Sequence, residues 1–236
     1  MGGADFIADS VTTAFGLIFG GAPGVFSAVL VSLQVSVTAA FLCTVIGVPL
    51  GFAVAVSNFR GRHLLITLLN TLMALPTVVV GLFVYAFITR QSLLGPLDLL
   101  FTRKAMIVGE VILGLPIIIA LTNTAISALD RQVRDTAITL GAGRLRVSLT
   151  MLWEGRFGLL AAIAATFGRL IGEVGIAMML GGNIAAHTRN ITTALALETS
   201  KGEFSVAMAL GIVLLTVALG VNFALRYLQG RGEVRP

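Results

Sequence analysis

The feature that most limits how this chain can fold is a long stretch without any charge, which runs from Ser10 to Phe59. Over the whole sequence 57% of the residues are hydrophobic and only 11% are charged, whereas about a quarter are charged in an ordinary soluble domain. A soluble fold of 236 residues could not bury so much apolar surface, because much of any folded surface meets water. The composition excludes a soluble enzyme and a nucleic-acid-binding protein, and it predicts an all-α polytopic membrane protein in contact with lipid.

Apolar stretches of about 20 residues, the length that crosses a bilayer, divide the chain into predicted spans. Glycine and proline at positions 20–24 separate the first span from a short N-terminal segment, which we expect to lie as an amphipathic helix at the membrane surface. The predicted domains are the interfacial segment 1–24, the transmembrane domain 25–228 and a cytoplasmic tail 229–236. Five spans are predicted, at residues 28–57, 64–88, 105–129, 159–180 and 205–228.

The positions of arginine and lysine predict which side of the membrane each end of the chain faces. If the segment between the third and fourth spans lies inside, the inner side, counting the inner end of the fifth span, holds ten basic residues and the outer side five. Positive charge favours the cytoplasmic side, so we expect the amino terminus outside and the carboxyl terminus in the cytoplasm. The pI of about 10.3 then reflects membrane orientation and not nucleic-acid binding.

The longest segment predicted on the cytoplasmic side, residues 130–157, carries a short amphipathic helix. Val133, Ala137 and Leu140 fall on one face at helical spacing, and Gly141 suits a helix end followed by a sharp turn. From the residues alone, such a helix either presses into a groove on a partner protein or rests on lipid headgroups, and both interpretations stay open.

The same segment resembles the cytoplasmic signature loop of ABC-transporter import permeases. That signature begins Glu-Ala-Ala, has a glycine four residues after the second alanine and ends in Leu-Pro. This chain keeps Ala137 and Gly141 and has Asp135 in the acidic position. It departs from the pattern at Thr136 and at residues 152–154, where Leu-Trp-Glu stands about where Leu-Pro is expected.

A second stretch, residues 189–204, resembles the tungstate members of the tungstate and molybdate branch of these permeases, and the likeness covers most of residues 25–228. The resemblance implies the membrane permease subunit of an ATP-driven importer in a prokaryotic inner membrane. Its substrate would be an oxyanion, with tungstate favoured and with molybdate, sulfate or another anion as alternatives.

The resemblance also implies partners. The chain would pair with a second copy of itself, two copies of an ATP-binding subunit and an extracytoplasmic substrate-binding protein. ATP and Mg²⁺ would bind to the ATPase partner, because this chain has no Walker motif and its only lysines are Lys104 and Lys201. We expect no catalytic residue, cofactor or metal on this chain. Coupling to the ATPase would depend on Arg134, Asp135, Thr136, Ala137, Leu140, Gly141 and Arg144.

Two opposite charges lie within the fourth predicted span. Arg169 and Glu173 are four residues apart and therefore share one helix face. A charge at mid-bilayer costs roughly 2.5 to 3.5 kcal/mol on insertion scales, so such residues normally face a partner or a water-filled path. The pair is a candidate for the translocation pathway, and the alternative is a self-neutralising pair that only holds spans together.

The pair also allows an alternative from a different class of protein, an ion-coupled carrier or channel that uses Arg169 and Glu173 as its switch. Uptake that persists without an ATP-binding partner would favour that class. An intramembrane hydrolase is disfavoured, because no serine–histidine or paired-aspartate motif appears at membrane depth.

Glycine and proline positions predict packing and bending within the spans. Gly168 and Gly172 form a small-xxx-small pair, which predicts a seam within one subunit, the interpretation we favour, or between two copies. Pro76, followed by Thr77, interrupts the second span and is a candidate hinge beside the pathway. Pro116 lies in a similar sequence in the third span, and this echo suggests paired broken helices.

Three other predictions concern polar residues outside this motif. We expect Glu110, near the outer end of the third span, to be an interfacial carboxylate that reaches water rather than a pathway group. The outer stretch 181–204 is interpreted as a solvated loop with a short helix or as a surface that receives a substrate-binding protein. Cys43 is predicted to be a small core residue.

Overall fold

The computed structural model describes residues 11–13, 15–16, 20, 23–92 and 94–228, and the regular elements of that part of the chain are helical. Most of the predicted interfacial segment 1–24 lies outside the described residues, although its residues 11–13 and 15–16 are described and are helical. The predicted tail 229–236 lies outside the described residues. The helices are α1 (Pro23–Val56), α2 (Arg62–Met73), α3 (Thr77–Ile88), α4 (Arg103–Ser127), α5 (Arg131–Thr139), α6 (Arg144–Glu154), α7 (Arg156–Ile171), α8 (Ile191–Lys201) and α9 (Phe204–Leu228), with a 3-10 turn at Gly95–Leu97 and a π-helical turn at Ala177–Gly181.

Three of these helices, α1, α4 and α9, are long and apolar enough to cross a membrane by themselves, and they match the first, third and fifth predicted spans. Up to five spans result if two bent helix pairs each count as one span. One pair is α2 with α3, bent by 98°, and the other is α6 with α7, bent by 65°. The fold class is therefore the predicted all-α membrane bundle. The interruption of the second span at Pro76 was predicted, whereas the fourth predicted span, 159–180, is interrupted after Ile171, which was not.

The second predicted span is two short helices that meet at Pro76. Each of α2 and α3 has 12 residues, about 18 Å of helix, which is too short to cross the hydrocarbon core alone. Proline has no backbone N–H to continue the α2 hydrogen bonds, and its extended backbone begins α3 in a new direction. The echo around Pro116 is not matched in the structure, because α4 continues through that residue.

The core of the bundle is the close contact between α1 and α4. A Cβ added at Gly47 would lie 2.1 Å from the Ile118 side chain, and one added at Gly114 would lie 2.7 Å from the Cys43 sulfur. The missing side chains let the two helix backbones approach closely, as small residues do between membrane helices. Cys43 is fully buried there, which confirms its predicted place in the core.

Arg62 links three helices near the carboxyl end of α1. The Arg62 guanidinium at the start of α2 donates to the Val54 carbonyl of α1 at 2.9 Å and to the Asn123 amide oxygen of α4 at 3.2 Å. Large apolar side chains on the outside of the bundle remain exposed, as expected of a surface in contact with lipid. Examples are Phe26, Phe41, Leu64, Phe83, Leu215 and Phe223.

Candidate functional site

Two interruptions of the helical structure meet inside the bundle. The chain leaves α7 at Ile171 and resumes helical structure at Gly175, which leads into the π-helical turn at Ala177–Gly181. At the end of this break, a Cβ added at Gly175 would lie 2.8 Å from the Thr77 hydroxyl oxygen and 3.1 Å from the Val78 backbone nitrogen. The chain that follows the break after α7 therefore packs directly against the first turn of α3, beside the 98° bend at Pro76.

The Arg169–Glu173 pair stands at the same break. The guanidinium and the carboxylate are joined at 2.8 Å, as their spacing predicted, although α7 ends at Ile171 and Glu173 lies in the break that follows. The Glu173 side chain is only 3% exposed, whereas that of Arg169 is 41% exposed. The second carboxylate oxygen of Glu173 accepts a hydrogen bond from the Ile176 backbone N–H at 3.2 Å. Glu173 thus anchors the arginine and also stabilises the start of the next helical turn.

The amino terminus of α8 is inserted beside this pair. The Thr192 hydroxyl donates to the Glu173 carbonyl oxygen at 2.8 Å, and the Ile191 N–H donates to the Ser32 hydroxyl of α1 at 2.8 Å. Asn190 and Thr193 form a capping box, in which each side chain accepts from the other residue's backbone N–H. The buried side chains at this turn make α8 part of the bundle.

The insertion of the amino terminus of α8 into the bundle was not predicted from the sequence. The short helix predicted within the stretch 181–204 is confirmed, but the interpretation of that stretch as a solvated loop is wrong for the first turn of the helix, which is buried. The capping-box spacing from Asn190 to Thr193 is a readable signal for a helix start. Burial of that start was not predictable from spacing, because it depends on contacts with residues far away in the chain.

The Glu110 carboxyl does not reach water, so the predicted interfacial position is wrong. Glu110 is 1% exposed, and neither of its carboxyl oxygens has a hydrogen-bond partner in the described part of the chain. It points into the bundle because α4 packs with that face against α1 and against the π-helical turn. A Cβ added at the preceding Gly109 would lie 2.5 Å from Ile176.

The small-xxx-small pair in α7 is open. Gly168 and Gly172 are exposed, and a Cβ added at Gly168 would meet no atom within 4 Å beyond the local turns of its own helix. Packing of this pair within one subunit, which the sequence analysis favoured, is therefore not found among the described residues. The same open face carries the exposed part of Arg169.

The segment predicted on the cytoplasmic side, residues 130–157, forms the two helices α5 and α6 with a groove between them. Asp130 caps α5 by accepting from the Gln132 N–H at 2.9 Å. Gly141 ends the turn with a φ of +79°, a conformation that favours glycine. Most of the predicted coupling residues are exposed, and Leu140 is 81% exposed. The groove is lined by Val133, Thr136, Ala137 and Leu140 on one side and by Arg146, Leu149, Thr150 and Glu154 on the other.

The predicted coupling residues thus divide into two groups. Thr136, Ala137 and Leu140 line the groove, whereas Arg134 and Asp135 are exposed outside it. Arg144 is exposed at the first turn of α6. The loop therefore presents an apolar groove with charges around it, which suits contact with another protein chain.

The interrupted apolar helices, the internal charge pair and the protruding loop together define a transport permease fold. The structure matches a chain of the MetNI methionine ABC transporter, solved in inward-facing conformations, with a TM-score of 0.72. The match covers 90% of this chain and 96% of that chain at 18% sequence identity. Residues 47–232 match the family described as binding-protein-dependent transport system inner membrane component, and the chain belongs to that family.

Curated relatives agree with the family over nearly full length. The chain is 36% identical to the tungstate uptake system permease protein TupB of Peptoclostridium acidaminophilum, over 95% of this chain and 99% of the relative. It is 40% identical to TupB of Campylobacter jejuni, over 93% and 92%. The molybdenum transport system permease protein ModB of Escherichia coli is 28% identical over 82% and 88%.

These findings confirm the resemblance to ABC import permeases that the loop motif suggested. The chain is a permease subunit of a transport system, and ATP hydrolysis in such systems takes place on a separate subunit. The family therefore replaces the alternative of an ion-coupled carrier or channel. The resemblance to tungstate permeases also agrees with the curated relatives.

Proposed function

We propose that this permease carries tungstate across the membrane. The observation that carries the proposal is the near full-length similarity to two tungstate permeases, at 36% and 40% identity, against 28% for the molybdenum permease. Substrate choice among oxyanions is a difference of affinities, so the proposal concerns preference rather than absolute rejection of molybdate or sulfate.

The test is metal accumulation in cells that lack their own tungstate and molybdate importers. The chain is expressed with its ATPase and receptor partners, and cell-associated tungsten and molybdenum are measured by mass spectrometry at equal external concentrations. We expect tungsten to accumulate, with little competition from excess molybdate or sulfate. Equal competition by molybdate, or accumulation of molybdenum alone, would contradict the proposal.

We further propose that the open face of α7 lines the translocation pathway between two copies of the chain. The exposed guanidinium of Arg169 attracts an oxyanion, while Glu173 holds the guanidinium in place and cancels much of its electric field. An anion is therefore drawn in without being held tightly, which passage through a pore requires. The meeting point of Pro76, Thr77 and the break after α7 lies beside this face and would act as the hinge.

The loop groove between α5 and α6 is proposed as the docking surface for the ATPase partner, which binds ATP and Mg²⁺. Exposure of the loop and its charged rim support this role. Two copies of each subunit and an extracytoplasmic receptor complete the proposed assembly. The orientation follows from the positive-inside rule, with the amino terminus outside and the loop in the cytoplasm.

A further inference from the structure

The proposed transport role leaves one buried acidic group without a use. Glu110 of α4 is 1% exposed, and neither carboxyl oxygen forms a hydrogen bond of normal geometry with a described residue. Three polar groups are near enough to interact with it. They are the Ser36 hydroxyl and the Cys43 thiol of α1 and the Glu173 carboxylate of the break after α7.

Among the described residues, no basic side chain forms an ion pair with Glu110. The Arg169 guanidinium, in the last turn of α7, is already bound by Glu173 at 2.8 Å. An ionised Glu110 would thus be a second negative charge, close to Glu173 and shielded from water. A buried carboxylate without a cation or hydrogen-bond donors is far costlier than the neutral acid, which needs only one acceptor.

We propose that Glu110 is a proton-binding site inside the helix bundle, occupied by a proton at neutral pH. The proton comes from water and forms one O–H bond at a carboxyl oxygen, and the neutral acid then donates to the Ser36 hydroxyl. A metal ion is the less suitable ligand, because hard cations take six or more oxygen ligands. The described residues contain no group of three or more histidine, cysteine or acidic side chains that could hold one.

The site has a consequence for the Arg169–Glu173 pair. While Glu110 is neutral, the arginine has one carboxylate partner and the pair stays balanced. Loss of the proton would place two carboxylates around one guanidinium and force a negative charge into the seam between α1 and α4. The proton therefore keeps this part of the bundle electrically neutral.

The decisive test is infrared spectroscopy of the assembled transporter in lipid vesicles at neutral pH. Wild type should show the C=O band of a protonated carboxylic acid, which shifts in D₂O. We expect that band to disappear in Glu110→Gln and to remain in Glu173→Gln, the matched change in the ion-paired acid. Identical spectra of wild type and Glu110→Gln in this region would overturn the proposal, as would loss of the band on addition of sodium chloride at constant pH.

A second measurement uses only the wild-type chain and so does not depend on how the variants fold. A hydrophobic carbodiimide reacts with protonated carboxyls in apolar surroundings, and peptide mass spectrometry identifies the modified residue. Modification of Glu110 that slows as pH rises, without modification of Glu173, supports the proposal. Modification of Glu173 and not of Glu110 would contradict it. Tungstate uptake should be unchanged in Glu110→Gln, because the amide is neutral and of the same shape.

Discussion

Gly175 and Thr77, each the first helical residue after a break, touch so closely that no side chain fits between them. A Cβ at Gly175 would lie 2.8 Å from the Thr77 hydroxyl oxygen and 3.1 Å from a backbone nitrogen, which cannot rotate away. The contact joins the bend at Pro76 to the break that carries Glu173. A movement at one break must therefore be accommodated at the other, because close-packed interiors transmit displacement.

The first prediction follows from that contact. Gly175→Ala should lower the stability of the purified permease by about 1 to 3 kcal/mol, the usual cost of overpacking. Thermal unfolding in detergent or nanodiscs measures the change. Gly220→Ala in α9 is the control, because a Cβ there meets no atom within 4 Å and alanine favours a helix. Equal melting temperatures for Gly175→Ala and wild type would contradict the packing described here.

The second prediction concerns the hydrogen bond between Thr192 and the Glu173 carbonyl. Thr192→Val keeps the shape of the side chain but leaves a buried acceptor without its donor, which costs about 1 to 3 kcal/mol. Thr216→Val is the matched control, because its exposed hydroxyl bonds only within α9. A fall in melting temperature is expected for Thr192→Val alone. Equal effects of the two changes would mean that α8 is not anchored at this point.

The third prediction separates two roles of Arg169. Arg169→Ala leaves Glu173 as an unpaired buried charge, and breaking such a pair costs about 3 to 5 kcal/mol, less here because the arginine is half exposed. Arg169→Ala with Glu173→Gln removes that charge, so assembly should recover while oxyanion uptake stays low. The readouts are the yield of the assembled complex and tungstate uptake into vesicles. Full recovery of uptake in the double variant would reduce the pair to a structural role.

The amount that sequence alone could predict differs between parts of this fold. The long helices α1, α4 and α9 were predictable, because uninterrupted apolar length is a local property that the bilayer selects. The pairing of Arg169 with Glu173 was predicted from their spacing of four residues, and it is found even though α7 ends at Ile171, before Glu173. Features that depend only on residues close together in the chain are therefore well predicted from the sequence.

What the sequence did not predict depends on which face of a helix meets another helix. Glu110 was expected at the surface, and Gly168 was expected to pack within the subunit. The structure buries the first and leaves the second open. A single carboxylate in an apolar segment forms no repeating pattern that shows which face of the helix it lies on. A pair of glycines likewise does not show which helix packs against it. The 98° bend at Pro76 also needed the structure, because α4 continues through Pro116.

The fourth prediction tests the loop. Gly141 has a φ of +79° and open space around it, so a leucine there is strained by backbone conformation, by about 1 to 2 kcal/mol, and not by a clash. Gly141→Leu should lower uptake per ATP hydrolysed in the reconstituted transporter, because the end of α5 turns away from its docked position. Gly141→Asn should be milder, since asparagine tolerates this conformation. Gly143→Leu, at an exposed glycine with a φ of −67°, is the control. Unchanged coupling in Gly141→Leu would count against docking at this turn.

The fifth prediction concerns the open face of α7. A half-exposed arginine is poorly suited to lipid, and a second copy of the chain packed on the open glycines beside it would cover it. Gly168→Cys should therefore form an oxidant-dependent covalent dimer in membranes, with the native complex containing two permeases by mass. The native Cys43 is buried and free, so it provides the background in the unmodified chain. Gly220→Cys on α9 is the control, which shows how much covalent dimer forms by random collision of two permeases in the membrane. Cross-linking of both variants to the same extent, or a single permease per complex, would place the pathway elsewhere.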